Sequence, residues 1–541
     1  MFRILTALLA LPCLYLTVEA NSSKLAWFDL ENESISTTLN FSASQVDPEE
    51  AARNFIRSQK SELGYFTAYA SDAYDTQDLK VRTIRQKTNA THVIFRQELD
   101  DVPVFGQTVK VHLRGDQSVV LMNGNYVNLE ETGVKNLVKI SEKDAVELAR
   151  EDLGEAAVSS VEQGFVPTRL ELLRGYRVLL VSNSGEFVYL IDAQDGRIHA
   201  KYNQIVDSPR HKGEPLKKPL SSETKPPVKL KKTGPRLPRT SPRPDSSSHG
   251  WVHSSSPKVD PELKQVDLKG LDSSGYLKGQ ATEVENKTAP SKAYSPSGSF
   301  FYESENTHYH EVMVYYHISE LRDYLLQMGV KGLPRTSATV HFNEDDNSFY
   351  SPSKKALFFG DGGVPDSADA DIILHEYGHA VMDALAGLQA GWGSQGGAMH
   401  EGFGDYVAAS FFNDPEIGEW DSTAYSDLGY LRTVENSKHF PEDITRETHE
   451  DGEIWAGTLW DLRKLLGKQI ADPLIYHSLD FLPVDANFKD GLVAILSVDQ
   501  TRYRSKYKKA ILKTFKTRGI ELEVPKEDQN KKARFENLYE E

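Results

Sequence analysis

Cysteine is nearly absent from this 541-residue chain; Cys13 is the single one. It lies within "MFRILTALLALPCLYLTVEA" (1–20), which reads as a secretory signal peptide with Arg3 as its positive residue and a cut after Ala20. Pro12 stands where a lipoprotein signal needs a small residue. Once the peptide is gone no thiol remains, which excludes disulfides, cysteine-ligated zinc and cysteine nucleophiles. No other apolar run is long enough to cross a bilayer. The expected location is therefore secreted, periplasmic or extracellular, without a membrane span. Positive charge is also in deficit. The formal net charge of −17 argues against a nucleic-acid partner.

Large apolar residues are scarce in one further place. Residues 207–249, rich in Pro, Lys and Ser, cannot build a core and read as an extended linker whose exposed Lys and Arg suit processing. Before it, "QVDPEEAARNFIRSQKSELG" (45–64) reads as an amphipathic helix ended by Gly64. The β-branched stretch 91–127 reads as antiparallel strands, with turns at "RGDQ" and at "NGN" around Asn123 and Gly124. "SEKDAVELAREDLG" (141–154) is a helix capped by Ser141; "YRVLLV", "EFVYLID" and "GRIHAKYN" follow as strands. After the linker, "EVMVYYHISELRDYLLQMG" (311–329) has helical spacing, "ATVHFN" and "KALFFGDG" read as strands, and helical periodicity runs to about residue 520. The tail is charged.

What is present in the helical half is "ADIILHEYGHAVMDALAG" (370–387). Residues four apart project from one helix face, so His375 and His379 can hold one ion. Glu376 is rotated by about 100° and lies beside that ion. Two imidazoles plus an adjacent glutamate is the zinc-peptidase pattern. Met382 and Leu385 occupy the positions that a HExxHxxGxxH site needs as Gly and His, which excludes that class. A carboxylate from a second helix remains, and "GGAMHEGFGDYVAASFF" (396–412) supplies Glu401 as ligand and Asp405 as the acceptor for a ligand histidine's outer N–H. His400 points away from Glu401 and reads as a neighbour. Two histidines and a glutamate leave a tetrahedral corner for water, the mark of a catalytic zinc. Glu376 is then the general base.

These motifs resemble the thermolysin-like metallopeptidases, and more closely their fungalysin-like relatives. "HEYGHAVMDALAG" and "HEGFGDY" resemble the paired zinc helices, and "THEDGEIWAGTLWDL" (448–462) the block around a second active-site histidine. The resemblance implies His449 as oxyanion donor, Arg432 on a substrate carbonyl, and Leu431 and Ile372 on the S1′ wall, hence an apolar residue after the cleaved bond. It implies Asn347 and Ser348 as contacts on a substrate-binding edge strand. Asp371, Asp414, Glu416 and Glu419 match calcium-site positions, so Ca²⁺ is a second expected cofactor beside one catalytic Zn²⁺. Ala390, with Trp392 nearby, stands where the family pattern has an oxyanion-assisting tyrosine.

The N-terminal half resembles a fungalysin/thermolysin propeptide (FTP) followed by a PepSY domain. The expected organisation is a signal peptide at 1–20, FTP at 21–130, PepSY at 137–206, the linker at 207–249, catalytic lobes at 250–390 and 391–525, and a tail at 526–541. The expected fold class is α+β, with a β-rich pro-region before a two-lobed catalytic domain whose second lobe is mainly helical. The pro-region is expected to act as intramolecular chaperone and inhibitor of a zinc endopeptidase that cuts peptide or protein substrates. The alternatives are a zinc aminopeptidase, or a silent surface-binding protein that keeps the fold.

Overall fold

A computed structural model describes residues 22–28, 47–58, 76–127, 129, 132–168, 170–182, 184–207, 248–288, 290–389, 391, 393–424 and 428–522. The expected signal peptide, nearly all of the expected linker, the expected tail, Ala390 and Trp392 lie outside the described residues. No helix among the described residues is long and apolar enough to cross a membrane. The fold is mixed α+β, β-rich in its N-terminal region and helical in its C-terminal region.

The chain forms two compact units, and their limits do not follow the expected domain boundaries. One holds Gln97–Gln107 and Asn125–Tyr202; the other holds Leu25–Arg96, Thr108–Gly124 and everything from Asn203 onward. The strands Thr91–Leu99 and Val102–Leu113 are thus divided between them.

In the smaller unit, the strands Ala157–Pro167, Glu171–Ser182 and Gly185–Asp192 pair antiparallel in chain order. The helix Glu142–Leu153 carries the predicted Ser141 cap, and Asp144 completes a capping box, which satisfies two of the N–H groups a helix start leaves open. Ala145 and Ala149 on this helix pack against Tyr176, Val178, Leu180, Tyr189 and Ile191 of the sheet. The strand Ala157–Pro167 escaped the sequence reading because its first residues are exposed and lack clean alternation.

In the larger unit, the predicted helices form at Pro48–Ser58, Thr307–Gln327, Ala370–Leu385 and Gln395–Phe412, followed by Thr448–Leu466 and three more down to Thr517. A five-stranded sheet has the order Val206–Asp207, Phe349–Ser351, Ala356–Phe358, Thr336–Val340, Thr282–Asn286. One hydrophobic cluster joins Ala90, Val120 and Leu121 to the helices of the C-terminal region. Polar contacts add to it. Lys110 Nζ donates to the carbonyls of Ala386 (2.8 Å) and Leu482 (2.7 Å), and the Asn123 amide donates to that of Phe481 (2.7 Å).

The "NGN" turn is a correction. Asn123 and Gly124 lie inside the strand Val119–Val127. Gly124 has φ +127°, and a Cβ there would sit 2.0 Å from the Thr108 carbonyl oxygen. Glycine is needed for that close strand approach, not for a turn.

Candidate metal centre

Three helices build the site. Ala370–Leu385 presents His375, Glu376 and His379, all fully buried. Gln395–Phe412 presents Glu401 and Asp405, and Thr448–Leu466 presents His449. The helices approach closely because glycines stand at the crossings. A Cβ at Gly404 would lie 2.7 Å from His375 Nδ1, and one at Gly402 would lie 2.3 Å from the Gly452 carbonyl oxygen. The Gly402-Phe403-Gly404 spacing of the second helix is therefore a packing requirement as much as a flexibility one.

The geometry brings the three expected ligands together. His375 Nε2 lies 3.2 Å from Glu401 Oε2, and His379 Nε2 lies 3.7 Å from Glu401 Oε1. Ligand atoms around one tetrahedral zinc, each bonded at about 2.0–2.1 Å, are separated by about 3.3 Å. His375, Glu376 and His379 each also offer an atom within 4.8 Å of the others. His375 Nε2, His379 Nε2 and Glu401 Oε2 are buried and have no hydrogen-bond partner among the described residues. Orphaned buried polar atoms carry a desolvation cost unless a ligand meets them. The donor set, two imidazoles and one carboxylate, fits zinc.

The surrounding hydrogen bonds orient this set. His375 Nδ1 donates to Asp405 Oδ1 at 2.9 Å. Burial alone would lower the His375 pKa; Asp405 and Glu401 outweigh it and lift it to about 10. A cation bound at Nε2 competes directly with that proton. Burial, reinforced by the His375 charge, pushes His379 well down, so its imidazole is neutral. His379 Nδ1 has no partner among the described residues. Beside it is His400, with ring centroids 5.5 Å apart and its Nε2 on the Leu388 carbonyl.

His449 Nε2 lies 3.3 Å from Glu401 Oε2, and its Nδ1 is held by Glu447 Oε1 at 2.9 Å. Burial would lower the His449 pKa, yet Glu401 and Glu447 raise it. Glu447, the helix cap, is held at about 2: its burial is outweighed by the His449 ring and two backbone N–H groups. Glu447 had no signal in the sequence beyond its place before Thr448. Arg432 grips Asp405 with two hydrogen bonds, Nε to Oδ2 at 2.9 Å and Nη2 to Oδ1 at 2.8 Å. Its buried Nη1 has no partner among the described residues. This pair links a residue expected on substrate to the residue that orients His375.

The remaining expected residues fall as follows. Ile372 is buried one turn before His375, and Leu431 packs on Gly418. Asn347 and Ser348 precede the strand Phe349–Ser351. Ser348 is fully buried, and its hydroxyl donates to Asp366 Oδ2 at 2.5 Å, so its side chain faces inward. The outer edge of that strand pairs antiparallel with Val206–Asp207. Of the calcium set, Asp371 and Glu419 come together, with Asp369 as their third member. Asp414 instead accepts from the Glu416 N–H, and Glu416 is exposed. Sequence reasoning missed Asp369 because it doubles as the cap of the zinc helix. A second carboxylate group, Asp346, Asp366 and Asp421, was also missed.

With this geometry in view, the family comparisons bear on it directly. Residues 361–523 match the fungalysin metallopeptidase family (M36), and residues 77–126 match the fungalysin/thermolysin propeptide motif. The chain is fungalysin-like and thermolysin-like. Thermolysin from Alicyclobacillus acidocaldarius subsp. acidocaldarius is 26% identical over 351 residues, covering 60% of this chain and 60% of the relative. Extracellular metalloproteinase 2 from Trichophyton tonsurans is 24% identical over 190 residues, covering 28% and 30%. The chain thus spans less than two thirds of the length of these relatives. Among solved structures, the YpeB C-terminal domain of Bacillus megaterium aligns with TM-score 0.18 at 15% identity, over 29% of this chain and 66% of that one; a likeness that low carries no argument for PepSY.

Proposed function

We propose that this chain is an exported zinc endopeptidase made as a zymogen. The observation that carries the reading is the convergence of His375 Nε2, His379 Nε2 and Glu401 Oε2, buried and unpartnered, with Glu376 in the same group. Zinc held there supplies a Lewis acid for the scissile carbonyl and lowers the pKa of water.

The chain's own residues do the rest. Glu376 takes a proton from the attacking water and returns it to the leaving amine as the C–N bond breaks. His449, oriented by Glu447, donates through Nε2 to the oxyanion that develops on the carbonyl. Arg432 offers Nη1 to a peptide carbonyl while Asp405 holds its other nitrogens. Asp405 also fixes the His375 tautomer, which keeps Nε2 for the metal. Asp371, Glu419 and Asp369 are assigned to a structural Ca²⁺, since three buried carboxylates so close need a cation or protons.

The zymogen reading is supported by the strand Val206–Asp207. It occupies the edge of Phe349–Ser351, where an extended substrate would add as a strand. The pro-region thus ends on the expected substrate edge, just before the linker where maturation would cut. The PepSY assignment of 137–206 and the signal peptide at 1–20 are part of the same proposal.

Metal analysis with cleavage of a blocked internal peptide, comparing the intact protein with Glu376→Gln, tests it. The expected variant keeps zinc and loses turnover. Retained turnover would falsify the assigned base; activity on free N-termini alone would favour an aminopeptidase.

A further inference from the structure

The second carboxylate group lies beside the proposed site and has no assigned role. Asp346, Asp366 and Asp421 each place a carboxylate oxygen within 4.8 Å of the others. Asp366 is 3% exposed and Asp421 7%, while Asp346 is only half-buried. The group is therefore most accessible at Asp346. Oδ1 of Asp366 and Oδ1 of Asp421 are buried without any hydrogen-bond partner among the described residues. Neither residue forms an ion pair with a described Lys, Arg or His.

Position ties this group to peptide cleavage. Asp366 accepts from Ser348 and feels the charge of Glu376; Asp421 feels the charge of Arg432; Asp346 adjoins Asn347. The carboxylates thus lie within electrostatic reach of the proposed base and the proposed carbonyl-binding arginine, and beside the residues that lead into the substrate edge strand. A side chain of a peptide held by those three has an acidic end to meet. Unpaired buried carboxylate oxygens are best met by a cation.

We propose that Asp346, Asp366 and Asp421 form a specificity pocket for a Lys or Arg side chain of the substrate, on the residue that follows the cleaved bond. The inference rests on the endopeptidase reading and replaces the apolar preference expected from Leu431 and Ile372. Those two residues suit the aliphatic stem of a Lys or Arg whose charged tip reaches the carboxylates. The linker supplies such residues in its own sequence, at Arg210, Lys212, Lys217 and Lys218. Cutting before any of them leaves a basic residue as the new N-terminus.

The test uses the full chain and blocked, internally quenched peptides that differ only at one position (Lys, Arg, Leu or Glu), with every cut mapped by mass spectrometry. The expected result is kcat/KM about tenfold to hundredfold higher for Lys or Arg than for Leu, in line with a charge-assisted hydrogen bond in a buried site. Asp421→Asn is expected to collapse the Lys-over-Leu ratio toward one. The half-buried Asp346→Asn lowers it in a second position that folding tolerates better. N-termini released from the linker should begin with Lys or Arg. Leu preferred over Lys, with cleavage still dependent on Glu376, overturns the pocket and leaves the peptidase reading intact. Calcium titrated into the zinc-loaded protein, with binding lost in Asp421→Asn and no Lys preference, makes this a metal site and also overturns it. No Glu376-dependent cleavage of any peptide removes both readings.

Discussion

Asp405 and Asp366 are both buried aspartates near one site, yet their surroundings drive them in opposite directions. Burial alone would raise Asp405, but the Arg432 guanidinium and the His375 ring hold its carboxyl well below the usual range. Asp366 has one hydroxyl and two other aspartates, and burial plus repulsion push it well up. A buried carboxylate is thus either a fixed anion that orients its neighbours or a strained one that awaits a cation. The same residue type serves positioning in one place and recognition in the other.

The largest effect expected of any change belongs to neither aspartate but to the proposed base, Glu376. Glu376→Gln should lower kcat by about 10²–10⁴-fold, the range for loss of general-base catalysis, with zinc content unchanged by metal analysis. Equal loss of zinc would mean that Glu376 is structural.

Breaking the satisfied member of the pair comes next. Asp405→Asn leaves the Arg432 guanidinium, 8% exposed, without its hydrogen-bonded ion-pair partner. A cost of roughly 3–5 kcal/mol in denaturant unfolding is expected, along with about 10–100-fold weaker zinc affinity. A variant that matches wild type in chelator competition would show that Asp405 does not orient His375.

Gly404→Ala tests whether the close helix crossing holds His375 in place. The added Cβ would meet the ring at 2.7 Å, and overpacking of this kind costs about 1–3 kcal/mol. Zinc affinity should fall along with stability; a fall in stability alone would separate the crossing from the site.

The smallest effect has the opposite sign. Asp421→Asn should stabilise the chelated, metal-free protein by roughly 1 kcal/mol at neutral pH, because it removes one repelling charge from a buried cluster. The pH dependence follows from the raised carboxyl. A folded pKa above the unfolded value of about 3.9 means that the folded state binds more protons over that window, so wild-type stability falls as pH rises through it. The gain from Asp421→Asn should therefore be absent near pH 3 and grow above about pH 4 in thermal melts. A constant gain across pH would assign it to packing.

The candidate metal set was legible because helix geometry turns a four-residue spacing into a shared face, although His375 with His379 needed a third ligand from another helix to point to a site. Glu401 and Asp405 were legible by the same periodicity on a second helix. Helix caps such as Ser141 were readable from residue type alone. The NGN segment was misread because a glycine that permits close strand packing carries the same letters as one that permits a turn. Asp346, Asp366 and Asp421 had no spacing signature, since they come from a loop before an edge strand, a 3₁₀ turn at Asp366–Ala368 and another at Asp421–Ala424.

What the chain's letters determined by themselves are the groups set by local periodicity: which helices form, which faces they bury, and which pair of histidines can share an ion. What the tertiary structure decided is which charges meet across the fold. It gave Asp405 an arginine and a histidine, and gave Asp366 two more aspartates. It also laid Val206–Asp207 against an edge strand more than a hundred residues later in the sequence. Electrostatic energy depends on separation in space, and residues far apart in sequence acquire that separation only when the chain has folded.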